Sequence, residues 1–302
     1  MRSAPVAPTS IEGSENVKLF AAAILALLLP LTGLAQGDPP LDGRLKKIRD
    51  TKTIRVAFRT DARPFAFMEH AQAGGYSVDL CRRVVGAIEK QLGVGELKVE
   101  WVPVNVQDRF EAVAKGKADM ECGSSTVTLS RMKLVDFSSY IFIDGTGLLV
   151  KSALAANTVN DLGGKKIGVI SGTSNEKALN EVLKAKGINA TVVVVKTGDE
   201  GLAQLESGAI DAYASDRVLL IGLAARAKDQ GTLALLSDAL SFEPYAITLP
   251  RGDWQMRLAV NSALARIYRT GQIGEVFGRW FGGFGKPGAL TEATFLFGAV
   301  PD

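Results

Sequence analysis

Apolar positions in this chain recur in two rhythms. Short, nearly continuous apolar runs read as buried strands: Ile54–Phe58, Leu97–Val104, Leu148–Lys151, Lys166–Ile170, Leu233–Leu236 and Tyr245–Leu249. Between them lie stretches with a helical repeat. In Tyr76–Leu92 the positions Val78, Leu80, Val84, Val85 and Ile88 fall near one face. The same rhythm predicts helices over Asp108–Lys115, Glu176–Lys186, Val218–Lys228, Trp254–Thr270 and Ile273–Phe281, with a further short helix before residue 50. Gly74-Gly75 reads as a turn, and the residues after Phe281, rich in Gly and Pro and then apolar, read as a packed tail.

Strands alternating with helices predict an α/β chain with parallel sheets. One strand–helix–strand unit occurs twice, over Val102–Ser124 and Val193–Asp216. Each copy carries Gly-x-x-Asp, as Gly116-Lys117-Ala118-Asp119 and Gly208-Ala209-Ile210-Asp211, with the first placed on a short strand Lys117–Met120. A polar residue follows each Asp at the same spacing, Ser124 in one copy and Asp216 in the other. Ligands of such sheets lie beyond the carboxyl ends of the strands. Two facing halves with polar tips would line a cleft.

The length of 302 residues suits about two ordinary domains. With 47% hydrophobic and 22% charged residues the composition is that of a globular protein. A net charge of +3, without a basic run interleaved with aromatics, excludes a nucleic-acid partner from the expectations. Near the start, Lys18 precedes the apolar run Leu19–Leu29, Pro30 breaks it, and small residues lead to Ala35. The run is too short to span a membrane. It fits a secretory signal over residues 1–35 cut after Ala35, which places the mature chain in the periplasm. No cysteine follows the run, which speaks against a lipid anchor. Glu12 and Glu15 are poor company for a positive leader, so the start codon is left between Met1 and Val17. The two cysteines, Cys81 and Cys122, form a disulfide or remain two buried thiols; export favours the bond.

The densest polar chemistry is Glu121–Arg131, ECGSSTVTLSR. Hydroxyls at Ser124, Ser125, Thr126 and Thr128 with the Arg131 guanidinium suit a small carboxylate; the alternative is a polar surface loop. Ser171-Gly172-Thr173-Ser174-Asn175 runs from a strand into a helix, and offers either plain capping or an anion site at the helix end. The single histidine, His70, cannot build a metal cluster, and no cofactor is expected. Gly283–Gly288 matches a dinucleotide pattern by letter only, because a helix precedes it and Pro287 interrupts it.

Gly75-Tyr76-Ser77-Val78-Asp79-Leu80 resembles the signature of family 3 periplasmic solute-binding proteins, with Ser77 in place of an acid. Glu121-Cys122-Gly123-Ser124 with Arg131, then Ser171-Gly172-Thr173, Glu206-Ser207-Gly208 and the Trp280-Phe281 ending are similar to the glutamate/aspartate-binding branch. The resemblance spans residues 45 to 282. It implies a two-lobed type II binding-protein fold, two parallel-rich sheets joined by a two-strand hinge. Lobe 1 would be 36–146 with the return 245–302, and lobe 2 would be 147–244. It implies a monomer that closes on a free amino acid and delivers it to the permease of an ABC importer. Arg131 would hold the α-carboxylate with Ser124, Thr126 and Ser174, and Asp216 the α-ammonium. Arg59 would face an acidic side chain, and Phe65 would pack on the ligand. Gly147 and Gly198 stand where that branch carries an arginine and a histidine, which implies a roomier pocket that would also admit glutamine, asparagine or a larger acidic compound. A cyclohexadienyl or arogenate dehydratase on the same scaffold is the rival reading. It needs a carboxylic acid as proton donor, with Asp199 and Glu200 as candidates.

Overall fold

A computed structural model describes residues 39–301. The expected signal segment, 1–35, and the choice of start codon lie outside the described residues. Leu41–Asp302 form one unit, and both sheets belong to it.

Helix α1 (Gly43–Thr51) leads into strand β1 (Thr53–Arg59). A small antiparallel sheet of β2 (Asp61–Ala62), β3 (Ala66–Glu69) and β4 (Gln72–Gly74) precedes helix α2 (Tyr76–Leu92). Strand β5 (Lys98–Val104), helix α3 (Arg109–Ala114), the short β6 (Met120–Glu121) and the long β7 (Val135–Asp144) come next. Past Gly145 the chain continues as β8 (Thr146–Lys151), β9 (Lys166–Ile170), α4 (Ser174–Lys186) and β10 (Thr191–Val195). Then come α5 (Gly198–Ser207), β11 (Ala212–Asp216), α6 (Arg217–Ala224) and β12 (Leu233–Leu235). Strand β13 (Glu243–Pro250) and helices α7 (Trp254–Arg269), α8 (Gln272–Phe281) and α9 (Ala289–Gly298) complete the chain.

The larger strands form two sheets, ordered β5-β1-β6-β13-β7 and β10-β9-β11-β8-β12. Each has a parallel part, β5-β1-β6 and β10-β9-β11, and an antiparallel part completed by β13 and β7 or by β8 and β12. This is the expected two-lobed α/β architecture. The chain crosses between sheets twice, from β7 to β8 through Gly145 and from β12 to β13.

The repeated Gly-x-x-Asp motif does the same work in both sheets. Gly116 and Gly208 take left-handed φ of 72° and 78°, which glycine adopts without penalty. Asp119 then donates its N–H to the Arg55 carbonyl at 2.7 Å, and its Oδ2 accepts the Arg55 N–H at 2.8 Å. Asp211 does both to Lys166, each at 2.8 Å. Each Asp thereby fixes the register of the strand that points at the cleft, β1 or β9. The first of these motifs is expected on a strand over Lys117–Met120. The strand instead begins at Met120, because Asp119 is committed to this clamp.

The signature stretch is structural as well. Gly75 has φ of 124°, and a Cβ there would stand 2.2 Å from the Phe65 carbonyl oxygen. Tyr76 donates its hydroxyl to the Ile141 carbonyl at 2.7 Å, and Ser77 donates to the Gly123 carbonyl at 2.8 Å. Asp79 receives Arg279 Nη1 at 2.8 Å and Trp280 Nε1 at 2.9 Å, so the C-terminal Arg-Trp is docked on the signature. A Cys81–Cys122 disulfide joins α2 to the loop after β6. Among the described residues no helix is long and apolar enough to cross a membrane.

Candidate functional site

The tips of β1, β5 and β6 in one lobe face those of β9 and β11 in the other. The lobes interlock here. Val106, after β5, packs in a core cluster of the second lobe, and Leu219 of α6 packs in the core of the first.

Thr126 and Ser174, expected on one carboxylate, are brought together from opposite lobes with their hydroxyl oxygens 3.3 Å apart. Each donates at 2.6 Å to the same oxygen, Oε2 of Glu243. Oε1 of Glu243 accepts from Ser241 at 2.5 Å and from Thr146 at 3.3 Å. A buried carboxylate thus occupies the hydroxyl donors assigned to a ligand. Glu243 escapes sequence reasoning because its partners lie up to 117 residues away, and its Pro-Tyr neighbours read only as the start of a strand. Thr173 caps α4 by accepting from Glu176 N–H, which leaves Ser174, the first residue of that helix, to face the other lobe.

Arg131 donates to the Thr126 carbonyl at 2.7 Å and lies 4.8 Å from the Phe110 ring centroid. Arg109 is buried at 3% exposure beside the same ring, and its Nε has no partner. Neither guanidinium has a carboxylate in ion-pair distance among the described residues. Burial pushes the Arg109 guanidinium down to about 9, and Arg59 and Arg131 add to the push, with Glu121 and Asp216 opposing it. A guanidinium does not shed its proton in a protein, so the shift registers an uncompensated positive charge. In the sequence Arg109 is an ordinary residue at the start of an amphipathic helix; nothing in its spacing marks it as buried.

Ser124 and Ser125 are buried with unpartnered hydroxyls, and so is Glu121 Oε1. Gly123 makes this crowding possible, since a Cβ there would stand 2.4 Å from Glu121 Oε1. With Arg109 Nε and the Tyr213 hydroxyl these are five orphaned buried atoms among the described residues, four of them on or just past the tips of β5 and β6. Buried polar atoms ordinarily have partners, and a concentration of orphans marks a place for a polar guest.

Asp216, at the tip of β11, is buried and accepts from Asn175 at 3.0 Å; among the described residues no cation is paired to it. Burial raises its carboxyl, and Glu243 raises it further. Asp144, at the end of β7, is raised by burial and then by Asp216. It also accepts the Val218 N–H of α6 at 3.1 Å, a tie across the crossing at Gly145. Arg59 ends β1 at 5% exposure and donates through Nε at 2.9 Å and Nη2 at 2.7 Å to Oδ1 of Asp61. Arg59, Asp61, Asn175, Tyr213 and Asp216 line one small enclosed cavity between the lobes.

Three expectations change. Phe65 does not face the cleft. Its ring lies 4.9 to 6.0 Å from those of Phe142, Tyr245, Phe281 and Tyr76, and it is fully buried in the first lobe because the turn between β2 and β3 aims it inward. Gly147 opens no room, because Arg217 Cγ lies 2.8 Å from where its Cβ would be; Gly198 does line the cavity. Asp199 is an exposed partner of Arg226 at 2.8 Å, and Glu200 accepts the Lys196 N–H at 2.8 Å at the start of α5, so neither stands in the cleft.

The family described as Bacterial extracellular solute-binding proteins, family 3, matches residues 54–283. The L-glutamate/L-aspartate-binding protein of Pseudomonas aeruginosa is 35% identical over 265 residues, 87% of each chain. The glutamate/aspartate import solute-binding protein of Escherichia coli K12 is 33% identical, over 86% of this chain and 87% of that one. Among solved structures, a periplasmic binding protein from Brucella ovis with glutathione bound superposes with a TM-score of 0.71 at 26% identity, over 78% of this chain and 73% of that one.

Proposed function

We propose a function for a chain that belongs to the bacterial extracellular solute-binding proteins of family 3: it is the periplasmic receptor of an amino-acid ABC importer, and its ligand is an acidic α-amino acid. The observation that carries the ligand is the pair Arg109 and Arg131. Two cleft guanidiniums without carboxylate partners call for two anionic groups, and glutamate or aspartate supplies them.

In this reading Arg131 forks the α-carboxylate, helped by Ser124, Thr126 and Ser174. For that, the Glu243 carboxylate gives up Thr126 and Ser174 when ligand enters. Asp216 takes the α-ammonium, with Asp144 behind it. Arg109 and Arg59 take the side-chain carboxylate. Groups from both lobes meet the ligand only when the lobes are shut, so ligand binding favours closure, and the closed form is what a permease partner recognises.

A dehydratase on this scaffold is the second reading; it needs a carboxylic acid in the cleft, and Asp199 and Glu200 are held outside it by Arg226 and the Lys196 N–H. A thermal-shift screen of the refolded mature protein against the twenty amino acids and prephenate separates the two. A ligand at a hundred times its dissociation constant adds about 2.7 kcal/mol. The receptor reading expects a shift with glutamate or aspartate and none with prephenate. A response to prephenate alone, with turnover, would replace it.

A further inference from the structure

Tyr213 lies on β11 and is fully buried in the core of the second lobe. Two glycines make its slot. A Cβ on Gly201 would stand 2.4 Å from Tyr213 Cε2, and one on Gly168 would stand 3.4 Å from its Cδ2. The ring therefore packs directly on the backbone of α5 and β9. Its hydroxyl is out of place in such a core, since it has no hydrogen-bond partner and a buried phenol without one costs free energy. Burial raises its pKa, and the charge of Arg59 on the other lobe opposes the rise, so the group stays a neutral donor.

Tyr213 lines the small cavity between the lobes together with Arg59, Asp61 and Asp216. Arg59 spends Nε and Nη2 on Oδ1 of Asp61, at 2.9 and 2.7 Å, so that edge of its fork is closed to a carboxylate. Gly198, in the same lining, has no side chain to offer. A ligand carboxylate beside Arg59 has about four lone-pair sites, more than a half-spent guanidinium fills. The orphaned hydroxyl, brought to the same cavity by the opposite lobe, is the donor left over. Resting on the receptor reading above, we infer that Tyr213 is a specificity-determining residue: its hydroxyl donates to the side-chain carboxylate of the ligand from the second lobe while Arg59 holds that group from the first. The bond forms only when the lobes are shut, so the acidic end of the ligand, and not its α-groups alone, draws them together. Sites built to hydrogen-bond a group discriminate strongly when that group is present or absent.

The test is Tyr213→Phe, which removes one oxygen and keeps the ring. L-Glutamate and L-aspartate are titrated into the refolded mature wild type and variant, and both empty proteins are melted. Whichever acid the wild type prefers should bind the variant about tenfold more weakly. The empty variant should melt at the same temperature or higher, because an unpaired buried hydroxyl is gone. A hydroxyl that only supports the core would give the opposite pair, a lower melting temperature with unchanged affinity, and that result overturns the inference. Unchanged affinity at any melting temperature overturns it too. So does an equal loss for L-norvaline, which carries the α-groups without the acid. A wild type that binds neither acid overturns the receptor reading, and the inference with it.

Discussion

At the scale of single residues, the cleft is defined by groups that lack what buried groups normally have. Arg109 is the clearest, a buried guanidinium without a counter-ion among the described residues. Replacing it with Met keeps a long stem and removes the charge. The ligand-free protein should then gain stability, by about 1–3 kcal/mol in a thermal melt, because a charge is no longer buried unpaired. The same variant should bind glutamate at least about tenfold more weakly. Lost stability with intact affinity would show Arg109 to be structural. Asp216 and Asp144 give a pH dependence with a fixed sign. Both carboxyls are raised, Asp216 to about 6, and the ammonium needs the ionised form. Binding therefore releases protons near that value, and affinity falls as pH drops from 8 toward 5, by up to about tenfold per unit for one proton. For the empty protein the sign reverses. Stability present below the unfolded carboxylate value of 3.8 is lost as pH rises through the raised values. An affinity flat from pH 5 to 8 would remove Asp216 from the ammonium.

Elements explain which parts of the chain are legible. Helix Tyr76–Leu92 shows its true bounds in the sequence, because its apolar face is regular and glycines flank it at Gly75 and Gly93. Strand Val135–Asp144 does not show at all. Its sequence VDFSSYIFID breaks alternation with Ser138-Ser139, and Tyr140 is exposed where the strand edges its sheet. The tail forms helix Ala289–Gly298. Phe65 misleads for a related reason: an aromatic beside Pro64 near a strand tip suits a ligand stack or a core equally well, and only the path of β2 and β3 decides. Gly75 makes the element scale testable. Gly75→Ala puts a methyl 2.2 Å from the Phe65 carbonyl at φ of 124°, so it should cost about 3 kcal/mol in urea unfolding. A midpoint unchanged from the wild type would show that the turn can yield.

For the whole molecule, the two-lobed plan follows from alternating elements and a repeated motif, whereas the site does not follow as directly. Arg131, Thr126, Ser174 and Asp216 stand out by type and position; Arg131 touches Thr126 and Thr126 touches Ser174, while Asp216 lines a separate small cavity with Arg59. Arg109 and Glu243, which give the cleft its electrostatic character, are invisible there because burial and pairing across 69 to 117 residues have no signature in spacing. The crossing before β13 puts Glu243 at the junction of the lobes, where it accepts from Thr126 of one and Ser174 of the other. Every role assigned in the cleft depends on an anionic group of the ligand seated on Arg131. Calorimetric titration of L-glutamate into the refolded mature protein, beside Arg131→Ala, tests that directly. Saturable one-to-one binding is expected in the wild type, with at least about a hundredfold loss in the variant. A silent wild type, or a variant that titrates with wild-type affinity, would contradict it.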